Sequence, residues 1–178
     1  MVFRGNDFTR GAGTTGLNEG QGFFLQDNAT GVFYRNLLIE GNIVETTMQS
    51  GISIQNPLNS IVRNNVVIQK LGHSNYSNTT RISFAGAGTG NTCYDNVSNA
   101  YDFTATVPTQ AGNLTIASND AGAYAAAFVA PLTGEGQGSA ATAYAPKAGG
   151  VMATASPVAG ALPHQTFVTP WGFVNPRP

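Results

Sequence analysis

An asparagine returns along the first hundred residues of the chain at nearly constant intervals. The four asparagines are separated by 30, 29 and 31 positions: Asn6, Asn36, Asn65 and Asn96. Short runs rich in Ile, Val and Phe flank them. A period of this length is typical of an architecture in which each repeat stacks on the next. The repeat therefore restricts the possible folds more than any other feature of the sequence.

A second series of positions keeps the same period. Gly22, Gly51 and Arg81 begin apolar segments and are separated by 29 and 30 positions. These segments are short and are bounded by Gly, Asn and Ser, which is typical of strands joined by tight turns. No apolar spacing of 3.6 residues is sustained in this half of the chain, so helices are not expected there. We predict an all-β fold of short, stacked parallel strands.

Two explanations account for the recurring asparagine. Asn tolerates the left-handed backbone angles that a sharp turn requires, and its side chain bonds to its own backbone. Asn side chains that stack on successive turns of a chain also bond to one another and form an amide ladder. We predict a ladder of Asn6, Asn36, Asn65 and Asn96, and the sequence leaves open that they are only turn residues.

Two segments carry a resemblance to a known fold. Residues 51–55 (GISIQ) and 59–68 (NSIVRNNVVI) are similar to coils of the right-handed parallel β-helix, the pectate-lyase-like superfamily, in which Asn ladders occur. The resemblance covers about residues 1–116 and concerns the fold, which enzymes, adhesins and phage tailspikes share. The 30-residue repeat predicts a short solenoid of about four coils. A rival spacing of 23 residues, from Asn42 to Asn65, agrees with fewer positions.

The composition of the chain changes near residue 120. Seven of the nine prolines lie between Pro131 and Pro178, and Ala, Gly and Thr dominate there. We therefore divide the chain into a parallel β-helix at 1–118, a short capping helix or turn at 119–131 and an extended, irregular arm at 132–178. Asp120 is suited to cap the helix, which Pro131 would end.

Composition restricts the partners of the chain. The net charge is −1 and 10% of the residues are charged, so no basic patch favours nucleic acid. No apolar run approaches the length of a membrane span, and no signal peptide is visible at the start. The lone Cys93 has no internal partner for a disulfide and is expected to be a buried core thiol.

No pattern of catalytic or metal-binding residues is present in the sequence. Residues 11–16 (GAGTTG) match a dinucleotide fingerprint, but a Gly-rich segment follows where a helix is required. His73 has no adjacent carboxylate to orient it as a general base. The resemblance implies calcium held by clustered acids, yet no two carboxylates are one repeat apart. We predict no catalytic residue, no metal ligand and no cofactor.

One column of positions at the repeat spacing is polar and aromatic. Its members after Arg4 are candidates for lining a carbohydrate-binding groove: Tyr34, Arg35, Arg63 and Tyr94. The alternative is that they form a solvated outer face.

The ends of the chain predict association between subunits. Residues 2–6 are already in register with the repeat, so the sequence shows no cap for the first coil, and an uncovered edge invites another chain. The single Trp is costly to leave exposed. The candidate contacts between subunits are Val2, Phe3, Tyr124, Phe128, Phe167, Trp171 and Phe173.

The sequence-based hypothesis is a non-enzymatic structural subunit of a homo-oligomer, with neighbouring structural subunits as its partners. The resemblance to tailspike-like proteins implies a decoration or fibre component on a virion surface or in another extracellular assembly. The alternative is a carbohydrate-binding or polysaccharide-lyase-like β-helix module or fragment.

Overall fold

Parallel pairing of short strands organises the structure. The computed structural model describes residues 1–8, 21–26, 31–71, 79–103, 108–131 and 143–151. Every pair of strands within these ranges is parallel. Apart from one short helix, the described residues form an all-β fold, as the sequence predicts.

The described strands form three large sheets and one small sheet. The first sheet has the order β1 (Val2–Arg4), β5 (Leu38–Glu40), β9 (Ile61–Arg63), β12 (Thr92–Tyr94) and β15 (Thr109–Ala111). The second sheet has the order β2 (Asp7–Phe8), β6 (Ile43–Thr46), β10 (Val66–Gln69), β13 (Val97–Ser98) and β16 (Leu114–Thr115). The third sheet contains β3 (Phe23–Leu25), β7 (Ser50–Gln55), β11 (Arg81–Ala85) and β14 (Tyr101–Asp102). The small sheet pairs β4 (Tyr34–Arg35) with β8 (Pro57–Leu58).

The chain visits the first, second and third sheets in the same order each time. We call one such passage a circuit. The described residues make four circuits and enter a fifth through β15 and β16, where the sequence predicts about four coils. Each strand pairs with the corresponding strand of the neighbouring circuit, an arrangement that fits a β-helix.

Successive circuits differ in length. In the first sheet, aligned residues are separated by 36, 23, 31 and 17 positions: Val2, Leu38, Ile61, Thr92 and Thr109. In the third sheet, they are separated by 29 and 30 positions: Phe23, Ile52 and Ile82. The second predicted series is therefore confirmed, and the constant period is wrong for the first sheet. Connections of different length separate the sheets. In the third sheet their differences cancel over the first two steps but not over the last, where Ile82 is aligned with Tyr101 after 19 positions.

Inward-pointing side chains of the three large sheets fill the interior. The buried members are Phe23, Leu37, Ile39, Val44, Ile52, Ile54, Val62, Val67, Ile82, Phe84 and Cys93. Because side chains alternate between the two faces of a strand, the neighbours of these positions lie on the outer faces. Cys93 is a fully buried free thiol, as predicted.

The outer face of the second sheet is also apolar, and C-terminal segments cover it. Ile43, Val66 and Val97 of this sheet belong to a second buried cluster together with the helix α1 (Ala121–Ala127) and residues 143–144. The predicted helix therefore exists, but it lies against the side of the second sheet instead of capping the last circuit. The apolar outer face explains this position, because the helix buries that face from water.

The helix begins and ends with recognisable caps. The Asp120 carboxylate accepts a hydrogen bond from the Ala123 N–H at 3.0 Å, which confirms the predicted N-cap. The helix ends at Ala127, earlier than the predicted stop at Pro131, and Phe128 is already extended.

Part of the predicted arm folds back onto the sheets. Residues 143–151 are described, and Tyr144 is fully buried in the second cluster, contrary to an arm that is extended throughout. The Tyr144 hydroxyl donates to Glu45 Oε1 at 2.7 Å. The remainder of the predicted arm, 132–142 and 152–178, lies outside the described residues.

Candidate functional site

Five asparagines stack at the turn between the first and second sheets. The members of this ladder are Asn6, Asn42, Asn65, Asn96 and Asn113. Each of the first four donates its backbone N–H and its side-chain Nδ2 to Oδ1 of the next, at 2.9–3.1 Å. The three central members are fully buried. The predicted ladder is confirmed at Asn6, Asn65 and Asn96.

A local signal precedes every rung of the ladder. The preceding residues have positive φ angles between 53° and 63°: Gly5, Gly41, Asn64, Asp95 and Gly112. Gly adopts this conformation freely, and Asn and Asp tolerate it better than other residues. A residue of this kind followed by Asn therefore marks all five rungs in the sequence. It finds Asn42 and Asn113, which the equal spacing missed.

Asn36 is not part of the ladder, so that prediction is wrong. It lies at the turn that leads into the first sheet, where its backbone N–H donates to Leu58 O at 2.9 Å. Asn36, Asn59 and Gly90 all have positive φ at this second turn. The Ser60 N–H donates there to Asn91 Oδ1 at 3.0 Å, which makes a shorter, mixed ladder. Asn36 therefore serves as a turn residue.

A charged column runs across the outer face of the first sheet. Arg4, Glu40, Arg63 and Tyr94 are aligned on neighbouring strands. The Glu40 carboxylate is 6% exposed and contacts Arg4 Nε at 2.6 Å and Arg63 Nη2 at 2.5 Å. Arg63 Nη1 also donates to the Tyr94 hydroxyl at 2.7 Å. That hydrogen bond and Glu40 raise the pKa of Arg63 above its ordinary value.

The predicted carbohydrate groove is only half assembled. Arg63 and Tyr94 lie together, whereas Tyr34 and Arg35 belong to the small sheet and pair with Pro57 and Leu58. Arg35 lies 5.3 Å from the Phe33 ring centroid. Glu40 occupies the position that equal spacing assigned to Arg35, because the second circuit begins at Leu38.

A polar groove of about 310 Å³ lies on the outer face of the third sheet. It is lined by Phe24, Leu25, Gln26, Gln49, Ser50, Ser53, Gln55, Arg81, Ser83 and Ala85. Ser83 Oγ and Ser53 Oγ share a hydrogen bond of 2.9 Å, and Arg81 Nη1 is 3.3 Å from Asp102 Oδ2. Hydroxyl and amide groups beside an exposed aromatic ring match the chemistry of a sugar. Sequence reasoning missed this groove, because its residues recur on alternate positions of strands whose register was unknown.

Both ends of the three large sheets have open edges within the described residues. β1, β2 and β3 begin the three sheets at one end, and β15, β16 and β14 finish them at the other. Large apolar side chains are exposed near the first of these ends: Met1, Val2, Phe8 and Phe24. The candidate subunit contact Val2 is 59% exposed, whereas Phe3 is half-buried and packs against the Phe23 ring.

The other candidate subunit contacts have different positions. Tyr124 and Phe128 are fully buried within their own chain, so the prediction that they contact another subunit is wrong. The apolar outer face of the second sheet explains this. Phe167, Trp171 and Phe173 lie outside the described residues.

An acid is buried beneath the C-terminal segments. Glu45 is 4% exposed, and burial raises its pKa above the ordinary value of 4.5. The hydrogen bond from Tyr144 and the charge of Lys70 oppose this shift, and Asp7 adds to it. Burial likewise raises the pKa of the Cys93 thiol to about 12.

Two kinds of feature are absent from the described residues. No three His, Cys, Asp or Glu side chains in these ranges are grouped as metal ligands. No helix in the same part of the chain is long and apolar enough to cross a membrane.

Comparisons with family models, with curated proteins and with solved structures found no match for this chain.

Proposed function

We propose that the chain forms a short right-handed parallel β-helix and serves as a non-enzymatic structural subunit that associates with copies of itself. The observation that carries the proposal is the open edge shared by β1, β2 and β3 at one end of the three large sheets. Each of these strands has a hydrogen-bonded neighbour on one side only among the described residues.

The handedness follows from the connections between strands. Successive strands of each large sheet are parallel. They are joined by segments that pass through the other two large sheets. Such crossover connections are right-handed in about 98% of cases, because a right-twisted strand returns to its sheet most easily that way. A right-handed β-helix with one coil per circuit is therefore the expected architecture.

The open edge favours association. An edge strand with unpaired backbone groups is a template for another strand unless charges or prolines protect it. Here the most exposed side chains around the edge are apolar: Met1 is 73% exposed, Val2 59%, Phe24 44% and Phe8 42%. The charged residues of the two edge strands β1 and β2, Arg4 and Asp7, are partly buried. Burial of such groups against a second chain would contribute about 25 cal/mol for each Å² of apolar surface removed from water.

The proposal is tested by the mass of the protein in solution. Sedimentation equilibrium at micromolar concentration is expected to give a mass above that of one chain (18.4 kDa). The substitutions Val2→Lys and Phe8→Lys place charges at the open edge and should reduce association. Val129→Lys, at an exposed position that follows α1, should leave it unchanged. A wild-type protein that remains a monomer would overturn the proposal.

A component of a virion surface, or of a fibre or decoration layer, is the specific setting that we propose for this subunit. It rests on the resemblance of the sequence to tailspike-like β-helices, and electron microscopy of the native assembly tests it.

The groove on the third sheet supports carbohydrate binding as a second candidate function. Its serine and glutamine side chains offer hydrogen bonds, and Phe24 offers an exposed ring. Calorimetric titration with pectin and alginate oligosaccharides tests this candidate. Arg81→Ala should weaken binding, whereas Arg35→Ala on the small sheet should not. Release of unsaturated sugars would show a lyase and would contradict a non-enzymatic subunit.

A further inference from the structure

The asparagine ladder has a direction. Every bond between its rungs runs from the N–H groups of one asparagine to Oδ1 of the asparagine one circuit later, from Asn6 through to Asn113. No rung within the described residues donates the other way. A stack built from such a ladder has an acceptor at one end and a donor at the other.

The two terminal rungs carry complementary groups. At the first end, no described residue donates to Asn6 Oδ1, although Oδ1 of every later rung accepts two hydrogen bonds. At the other end, Asn113 Nδ2 donates to Cys93 O at 2.8 Å. The Asn113 backbone N–H has no acceptor among the described residues, although the equivalent N–H of Asn96 donates to the next rung.

The strands beside the terminal rungs are complementary as well. β15 and β16 are the edge strands of the first and second sheets at one end, and β1 and β2 are the edge strands of the same two sheets at the opposite end. A repeat of the register that joins β12 to β15 places Val2 of a second copy opposite Thr109 and Arg4 opposite Ala111. The same step brings Asn6 Oδ1 of that copy to the Asn113 N–H.

Aromatic groups occupy the interior at both ends. Phe23 packs edge-to-face against Phe3 and Phe8 at the first end, with ring centroids 5.0 and 4.8 Å apart. At the other end, Phe103 packs against Phe84 at 5.3 Å and against Tyr101 at 5.9 Å. Phe3, Tyr101 and Phe103 are only partly buried, so each end offers apolar surface at its centre.

We propose that copies of this chain associate head to tail, with the β15–β16 end of one copy against the β1–β2 end of the next, so that the asparagine ladder continues across the interface. The inference rests on the proposed function, which is self-association, and specifies which ends of the two copies meet. Contact between unlike ends leaves a free end on each side, so the product is an open stack of indefinite length unless its rotation closes a ring.

The competing geometry joins two first ends about a two-fold axis. If the axis passes beside Asn6, Asn6 Oδ1 of one copy meets Asn6 Oδ1 of the other, and two acceptors meet without a donor. If the axis lies elsewhere on this end, both acceptors still lack the donor that Asn113 would supply. Head-to-tail contact pairs a donor with an acceptor at the same position. Because a buried polar group without a partner is costly, the ladder favours the unlike ends.

Two variants, each with one blocked end, test the polarity. The first carries Val2→Lys and Phe8→Lys at the β1–β2 end. The second carries Gln110→Lys and Thr115→Lys, at positions exposed in the β15–β16 end. Each variant alone should sediment as a monomer, and an equimolar mixture should double in mass, because each retains the end that the other lacks. If a double variant does not fold, its single substitution is used instead: Val2→Lys for the first variant and Gln110→Lys for the second.

The outcomes separate the two proposals. A doubled mass only in the mixture supports head-to-tail contact. If the second variant dimerises alone and the first does not, the first ends join each other, so the polarity is overturned and self-association stands. If the wild-type protein is a monomer, both proposals fail together.

Discussion

Asn65 donates its side-chain amide to Oδ1 of Asn96 at 2.9 Å, although 31 positions separate the two residues in the chain. Asn42 donates to Asn65 in the same way from 23 positions before it. The amide bonds therefore join consecutive circuits whatever the lengths of the loops between them. This explains how circuits of very different length stack in one register.

Removal of a central rung should destabilise the protein. Asn65→Ala removes the acceptor that the Asn42 backbone N–H and Nδ2 share, and one of the two donors to Asn96 Oδ1, in a fully buried site. We expect the free energy of unfolding to fall by about 2–4 kcal/mol, since each unsatisfied buried group costs roughly 1–3 kcal/mol. Chemical denaturation measures the change.

Asn36→Gly is the matched control for the ladder. Asn36 is exposed and has a φ of 54°, which Gly adopts without strain, and it bonds to no rung of the ladder. We expect a change within about 0.5 kcal/mol. Equal losses for the two variants would contradict a stabilising role that is specific to the ladder.

The C-terminal segments should be part of the cooperative fold. Phe128→Ala removes a fully buried ring that packs against Tyr124 and Tyr144 over the second sheet. We expect a loss of about 3–5 kcal/mol in the free energy of unfolding, which is typical of such a cavity. Val129→Ala, at the neighbouring exposed position, should change it little. An unchanged free energy of unfolding in Phe128→Ala would mean that these segments do not pack against the sheet in solution.

Glu45 should make stability depend on pH. Its pKa is raised in the folded state, above all by burial, so the folded protein binds a proton more tightly than the unfolded chain does. The stabilisation that protonated Glu45 gives to the folded protein is complete below the ordinary pKa of 4.5. It is lost as the pH rises through the raised pKa of the folded state. Glu45→Gln keeps an acceptor for the Tyr144 hydroxyl and should flatten this decline. The unfolding midpoint in urea, measured at several pH values, checks the slope. An unchanged slope would contradict the assignment.

Cys93 should be unreactive in the folded protein. Burial raises the pKa of its thiol to about 12, so the nucleophilic thiolate is nearly absent at mildly alkaline pH. We expect no modification by iodoacetamide until denaturant unfolds the chain, as followed by mass spectrometry. A Val129→Cys variant supplies an exposed thiol that should react at once. Rapid labelling of native Cys93 would show that the interior opens at this circuit.

The predicted ladder was correct in kind and wrong in one member. The sequence identified Asn6, Asn65 and Asn96 because their spacing suited the repeat, and Asn36 entered on the same argument. Equal spacing assumes equal loops, and the first circuit is 36 residues long while the second is 23. The local pair of a left-handed residue followed by Asn is the better signal, because it reports the turn itself.

The candidate contacts and the groove were harder to predict. The sequence predicts Tyr124 and Phe128, on one face of a short helix, as contacts between subunits. The structure places that face on the second sheet, whose outward residues Ile43 and Val66 are also apolar. The sequence of a single strand does not show which of its apolar residues point outward and which point inward. The apolar outer face of the second sheet can therefore be recognised only when the circuits are aligned.

The sequence by itself determined the all-β character of the chain, its short strands and the use of asparagine at the turns, because strand propensity and backbone angles at turns are local properties. The tertiary structure alone decided which residues are neighbours: Glu40 between two arginines, Asn42 as a rung, and Tyr144 against Glu45. These pairs depend on the summed lengths of the connections and on the burial of both faces of one sheet. Neither can be calculated from a local pattern, because each is a property of the whole stack.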